Sequence, residues 1–326
     1  MYEPKLREIR ATKIKDRIFQ KVLCNNGVRD DLTRSFIYDN GACLKHRGTD
    51  FAIERIIYFL QQYFREEKSN NGFILHLDFK GYFPNTPHST SKSVVKFYVR
   101  DEFQSESVCD IIDSYVDERD EEIILDDIFG ARGTGLGSEM AQLFQLAIPN
   151  KIDHYLKEQL KIKYLERYND DILIIANNKD ILIKAKEYVT DEMSKLGIQV
   201  IDKHGITKLQ KSFNFMRKKF ILTKSGKVII KIPKKKIYEE KRKLKKLKIK
   251  LDNNETTFKN IYEHYQSWSA CVSRCNCDFL LKEMDKFFND LFNVNLKFDR
   301  SKNAYCKSKR AIKQCRKKRR SNGSCT

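Results

Sequence analysis

Hydrophobic and polar positions alternate in blocks whose periods define most of the chain's elements. DRIFQKVL (16–23) and DFAIERIIYFLQQYFREE (50–67) place apolar residues three and four apart, the spacing of amphipathic helices. Between them SFIYDNGACLKHRGTD (35–50) has no period and is rich in turn residues, which predicts a loop or hairpin. GFILHLDF (72–79) is a short apolar run bounded by NNG before and KGYFPNTP after. That pattern predicts a buried strand ending in a turn, with Asp78 where the strand ends.

Residues 89–122 are helical in pattern and acidic, GARGTGLGSE (130–139) is a glycine-rich loop, and MAQLFQLAIPNKIDHYLKEQL (140–160) returns to a long apolar-faced helix. In KYLERYNDDILIIANN (163–178) two β-favouring runs flank Asn169-Asp170-Asp171, predicting a β-hairpin with two carboxylates at its tip. A helix over 179–197 follows, then strands in FNFMRKKFILT and KVIIKI joined by KSG. From residue 231 the composition changes: KIPKKKIYEEKRKLKKLKIK carries eleven Lys and Arg against two Glu, and KNAYCKSKRAIKQCRKKRR carries ten basic residues and no acid. A boundary near residue 230 therefore separates a mixed α/β part from a helical, basic one. No internal repeat is present.

Composition narrows the class of partner. With 326 residues and 40% hydrophobic content the chain can bury a core, and 64 Lys and Arg against 44 Asp and Glu give a formal charge of +20. Such a surface attracts polyanions, nucleic acid before a ribosomal or membrane surface, because no amphipathic terminal anchor accompanies the charge. Nine cysteines, an odd number, and a first twenty residues too charged for a signal peptide predict reduced thiols in a cytoplasmic protein. No run approaches the roughly eighteen apolar residues of a membrane span. Cys271, Cys275 and Cys277 lack the spacing of a zinc ribbon or knuckle.

The carboxylates carry the chemistry. If Asp78 at a strand end and Asp170 with Asp171 at a hairpin tip converge, three like charges share one cleft, and hard divalent cations are what would neutralise them. Magnesium is implied, with manganese as a substitute. Two ions about 3.5–4 Å apart serve in-line displacement at phosphorus, steadying an attacking hydroxyl and a leaving pyrophosphate. An isolated Asn-Asp-Asp is also an ordinary turn.

Tyr168-Asn169-Asp170-Asp171 resembles the Y-x-D-D box of reverse transcriptases, and Leu77-Asp78-Phe79-Lys80-Gly81-Tyr82-Phe83 followed by Thr86-Pro87-His88 resembles that family's first catalytic motif, in the same order. The resemblance spans about residues 15–290. It implies an α/β (α+β) right-hand polymerase fold: fingers over 1–70, a palm over 71–230 with a fingers insertion around 89–135, a basic thumb over 231–295 and a basic tail over 296–326. It implies Asp78, Asp170 and Asp171 as ligands of two Mg²⁺ ions, the last coordinating less directly, and Lys203 as the acid that protonates pyrophosphate, although His204 stands where the family has Thr.

For the incoming dNTP it implies Phe79, Phe83 closing on the sugar 2′ position, and Lys45 and Arg47 on the phosphates. For primer and template it implies Tyr168, Phe215 within Phe213–Met216, and His264 and Trp268 of HYQSW. Tyr82 would point into the core if its stretch stays extended.

Leu136-Gly137-x-x-x-Ala141-Gln142 resembles the signature of diversity-generating retroelement enzymes, with Ala141 for Ser. Leu136, Gly137 and Gln142 would then line the nascent pair, and an aliphatic Leu136 implies low fidelity. The partners implied are an RNA template, a DNA or RNA primer, dNTPs and a small basic accessory protein, with the tail from Lys302 to Arg320 available to RNA and no membrane. An antiviral reverse transcriptase and a non-catalytic RNA-binding scaffold on the same fold are the alternatives.

Overall fold

The computed structural model describes residues 12–117, 119–135 and 137–298. The chain divides into two compact units, Met1–Leu209 and Gln210–Thr326.

The first unit opens with α1 (Ile14–Leu23), which bends through Cys24–Val28, with Gly27 at φ +132°, into α2 (Arg29–Thr33). After a loop come α3 (Thr49–Glu67), β1 (Phe73–Phe79), the single turn α4 (Tyr82–Asn85), α5 (His88–Tyr98), α6 (Glu102–Asp113) and α7 (Glu121–Asp126). Then follow α8 (Glu139–Ala147), α9 (Asn150–His154) running on through Tyr155–Gln159, β2 (Tyr164–Tyr168), β3 (Asp171–Ala176), α10 (Lys179–Lys195), β4 (Val200–Asp202) and β5 (Thr207–Lys208). The strands form one antiparallel sheet in the order β2-β3-β1-β4, with β5 also on β1.

β1 is central and mostly buried, which is why its sequence is largely apolar, with His76 and Asp78 as the polar exceptions on one face. Leu75, Leu77, Ile172 and Ile174 of the sheet share a core with Leu182, Ala185, Val189 and Met193 of α10, spaced to fall on one helix face. Phe59 and Tyr63 of α3 meet the Tyr164 ring edge-on at 5.7 and 5.8 Å. A second core joins Leu23, Leu32, Val95, Val108, Ile112 and Phe144 of α1, α2, α5, α6 and α8. Each such fully buried side chain contributes about 1.5–3 kcal/mol.

Several elements break where the pattern alone runs on. Residues 89–122 form separate helices, because Val99 and Asp101 are extended and the Asp101 carboxylate accepts from Gln104 N–H to start α6. The helix over 140–160 is interrupted after Ala147 by Pro149, which has no N–H to donate. Tyr82 is buried, but from a helical turn, not an extended segment; its hydroxyl donates to the Gln145 carbonyl at 2.6 Å. Residues 35–48 form a loop with no hairpin of their own, and Thr49 and Asp50 open α3.

In the second unit β6 (Phe213–Phe215), β7 (Lys218–Leu222) and β8 (Val228–Lys231) form an antiparallel sheet, followed by α11 (Lys234–Asp252), α12 (Phe258–Ser273) and α13 (Asp278–Phe292). Met216 and Arg217, at φ +49° and +60°, make the two-residue turn between β6 and β7. Leu244, Ile261, Tyr265, Met284 and Phe288 form the helical core. Asn276 pairs both its N–H and its side-chain oxygen with Ile230, at 2.8 and 2.9 Å. The boundary between the units thus falls before this small sheet, whereas the composition shifts after it. Among the described residues no helix is long and apolar enough to cross a membrane.

Candidate active site

β1 and β3 pair in the register Asp78↔Asp171, and Phe79 N–H donates to the Asp170 carbonyl at 3.2 Å, so the hairpin tip lies against the end of the central strand. Asn169 takes φ +53°, a left-handed conformation that Asn tolerates better than most residues, and lets a two-residue loop close β2 on β3. As a result one carboxylate oxygen from each of Asp78, Asp170 and Asp171 lies within 4.8 Å of the others.

The three carboxyls are not equivalent. Burial, together with the charges of Asp171 and Asp78, pushes Asp170 up to about 6. Burial also raises Asp78, with the Lys203 ammonium pulling the other way. Burial would raise Asp171 too, but hydrogen bonds from His76 and Lys203 hold it below the usual carboxylate range. His76 Nε2 lies 3.0 Å from Asp171 Oδ1, and Lys203 Nζ bonds that same oxygen while standing 3.4 Å from Asp78 Oδ1. Lys203 follows β4, and its N–H donates to the His76 carbonyl at 3.1 Å, so the antiparallel ladder delivers both basic groups to one place. Burial opposes the lysine's charge, but Asp171 and Asp78 outweigh it and raise the Lys203 pKa.

A trio of partly buried oxygens, one with its proton held to about pH 6, is a donor set suited to hard divalent ions. Asp78, Asp170 and Asp171 thus offer the oxygen donors that a hard divalent cation takes.

The hairpin is held from behind by Arg167, which is fully buried. Its Nε donates to Asp153 at 2.6 Å, Nη2 to the Leu146 carbonyl at 2.8 Å and Nη1 to the Asn169 carbonyl at 3.3 Å. The loop over 39–41 runs along β2: Arg167 N–H donates to the Asp39 carbonyl and Gly41 N–H to the Arg167 carbonyl, both at 2.9 Å. A Cβ at Gly41 would stand 2.3 Å from Glu166 Oε1 and 3.1 Å from the Ala52 Cβ, so any side chain there must displace the Glu166 carboxylate. Asp39 is fixed in turn by Arg55 at 2.7 Å and Lys157 at 2.8 Å.

The other candidate residues fall into several places. Phe83 is half-buried against the sheet core, and its carbonyl accepts from Thr134 N–H at 3.0 Å. Tyr168 is half-buried, its hydroxyl 3.3 Å from that of Thr49. Lys45 is exposed. Arg47 turns onto its own loop: Nη1 donates to the carbonyls of Ile37 and Asn40 at 3.3 and 3.0 Å, and the guanidinium lies over the rings of Tyr38 and Phe51. It braces the loop more than it offers a free fork to phosphate.

The Phe79 ring is buried in the sheet core, at 0% exposure. Gly137, at φ +109°, precedes Ser138, the N-cap of α8, whose side chain accepts from Ala141 N–H; Gln142 is half-buried on that helix, and Leu136 lies outside the described residues. A cleft of about 490 Å³ bordered by Arg17, Gln20, Lys21, Gly137 and Glu139 includes none of the three aspartates. Phe215, His264 and Trp268 belong to the second unit. There Phe215 is buried, His264 pairs with Glu240 at 2.8 Å, and Trp268 packs on Tyr265. The basic tail from Lys302 lies outside the described residues.

His76 and Arg167 are the site residues that motif reasoning missed. Each left a trace: an ionisable side chain in a buried strand pattern, at a position the alternation turns toward the site or the core.

The sequence matches no protein-family model and no curated protein. Among solved structures it is similar to the apo telomerase from Candida tropicalis truncated from its C-terminal domain, at 14% identity and TM-score 0.41, over 66% of this chain and 44% of that one. The apo telomerase from Candida tropicalis matches at 15% identity and TM-score 0.43, over 65% of this chain and 40% of that one. The telomerase from Candida albicans in complex with a fragment of telomeric RNA matches at 13% identity and TM-score 0.42, over 85% of this chain and 46% of that one. The chain thus spans less than half the length of these structures, and likeness at this level places it in no family.

Proposed function

We propose that the chain is an RNA-directed DNA polymerase working by two-metal phosphoryl transfer. The observation that carries this reading is the convergence of Asp78, Asp170 and Asp171 at the end of an antiparallel β1/β3 pair, in the motifs that resemble those of reverse transcriptases. Bound Mg²⁺ or Mn²⁺ would lower the barrier by activating a primer hydroxyl and stabilising charge on the triphosphate. Asp78 and Asp170 hold the ions, Asp171 completes the site, and Lys203 stands within reach of the same carboxylates to give a proton to the departing pyrophosphate. Phe83 bars a ribose 2′-hydroxyl by bulk. Lys45, Gly137 and Gln142 serve the dNTP, Tyr168 serves primer or template in the first unit, and His264 and Trp268 serve nucleic acid in the second.

We further infer a low-fidelity enzyme of the diversity-generating type, acting in retroelement mutagenesis with an RNA template and a small basic accessory protein. Its support is the Leu136-Gly137-x-x-x-Ala141-Gln142 sequence, because an aliphatic Leu136 gives no hydrogen bond with which to test pairing geometry.

One assay tests both levels. On a primed RNA template, Mg²⁺-dependent dNTP incorporation falls to background in the variant carrying Asp170→Ala and Asp171→Ala; incorporation that survives would refute the polymerase reading. With Leu136→Gln, misincorporation opposite template adenine falls, and an unchanged error spectrum removes the fidelity assignment alone.

A further inference from the structure

We propose that His76 is a positioning residue for the metal site, fixing the Asp171 carboxylate so that Asp78 and Asp170 present theirs to the ions. This rests on the two-metal reading of the same site and names a residue outside the motifs that suggested it.

Strand geometry brings the groups together. His76 is two residues before Asp78 in β1, so both side chains leave the same face of the sheet, and β3 brings Asp171 opposite Asp78 on that face. The imidazole is nearly enclosed, at 8% exposure, and its Nε2 reaches Asp171 Oδ1 at 3.0 Å. Lys203 bonds the same oxygen from the other side. Two donors on one oxygen fix a carboxylate's torsion, which a single flexible ammonium does not.

The partition among the three acids is uneven. Asp171 receives both donors and Asp78 receives only the longer contact from Lys203, while among the described residues no side chain donates to Asp170. The protein thus uses its own donors on Asp171 and leaves the other two carboxylates open. Lys203 follows the short edge strand β4 and touches two acids at once, so its long side chain can leave Asp171 when an ion arrives; the shorter imidazole, enclosed in the central strand, cannot. If His76 merely filled space, an apolar ring of similar size would replace it without consequence.

The test compares His76→Phe, which keeps a ring and removes the donor, with His76→Gln, whose side-chain N–H₂ can reach Asp171. Binding of Mn²⁺ alone, followed by the loss of the free-ion paramagnetic resonance signal, reads the site without any turnover. The expected result is an affinity about 10–100-fold weaker in the Phe variant, with most of it restored by Gln. In primer extension kcat falls in the same order while the KM for dNTP stays put, the split that marks misplaced chemistry and intact substrate binding.

Thermal melting of both variants checks folding, and if Phe unfolds the protein, Gln against His76→Ala carries the comparison. Wild-type Mn²⁺ affinity in a folded Phe variant, or no rescue by Gln, overturns the proposal. Because Mn²⁺ binding is scored separately, a protein that never extends a primer but loses Mn²⁺ with His76→Phe refutes the polymerase reading and keeps the positioning role.

Discussion

Glu166 is a case where a single side chain's surroundings oppose its usual charge. It is fully buried in β2 beside Asp39, and among the described residues neither carboxylate oxygen has a hydrogen-bond partner. Burial first, and the Asp39 charge second, push its pKa well above the ordinary glutamate range, against the pull of Arg55 and Lys157. The sign follows directly: above the ordinary value the folded state keeps a proton that the unfolded state has lost, so stability falls as pH rises toward the folded pKa. Between about pH 5 and about pH 8 the wild-type melting temperature should therefore fall more than that of Glu166→Gln, which is neutral throughout. Parallel melting curves across that range would contradict a buried, protonated Glu166.

At the scale of the element, the β2–β3 hairpin is placed as much by what lies behind it as by its turn. Asn169 closes the loop, but Arg167, paired with Asp153 with both side chains 0% exposed, ties it to α9 and to the Leu146 carbonyl near the end of α8. Removing one member leaves the other buried and unpaired. Arg167→Ala should thus lower stability in urea unfolding by about 3–5 kcal/mol, whereas Arg167→Met with Asp153→Leu should recover most of it, because the pair's own net contribution is small. Equal losses from the single and double variants would show that the hydrogen bonds to Leu146 and Asn169 matter more than the ion pair.

Across the whole molecule the charge is unevenly shared. Residues 210–326 hold 33 of the Lys and Arg against 10 Asp and Glu, so all of the +20 excess falls after Leu209. Within that unit α11 carries Arg242, Lys245 and Lys246, with its apolar residues Leu244 and Leu247 turned to the helical core. Should RNA bind there, log K falls linearly with log salt. Changing these three residues to Gln should then reduce the slope by about one for each phosphate no longer neutralised, with little dependence on RNA sequence. An unchanged slope in a filter-binding titration moves the RNA interface away from this helix.

The positions of β1 and of the β2–β3 hairpin were legible in the sequence, because apolar runs bounded by turn residues are local signals and the backbone obeys them locally. So were the helices α3 and α10, whose apolar spacing matches one buried face. The strand-end and hairpin-tip placement of Asp78, Asp170 and Asp171 was legible for the same reason. Their convergence was not, since it requires β1 and β3 to pair in one register, and that register is fixed by packing under α10 between residues distant along the chain. The burial of Phe79, the inward turn of Arg47 and the helical turn at Tyr82 were likewise decided by neighbours from other segments. His76 stood in the sequence as a polar residue within a largely apolar strand, and Arg167 as one of two adjacent ionisable residues in β2. Only the folded sheet gave them their partners, because a buried polar group is tolerated where tertiary structure supplies its hydrogen bonds.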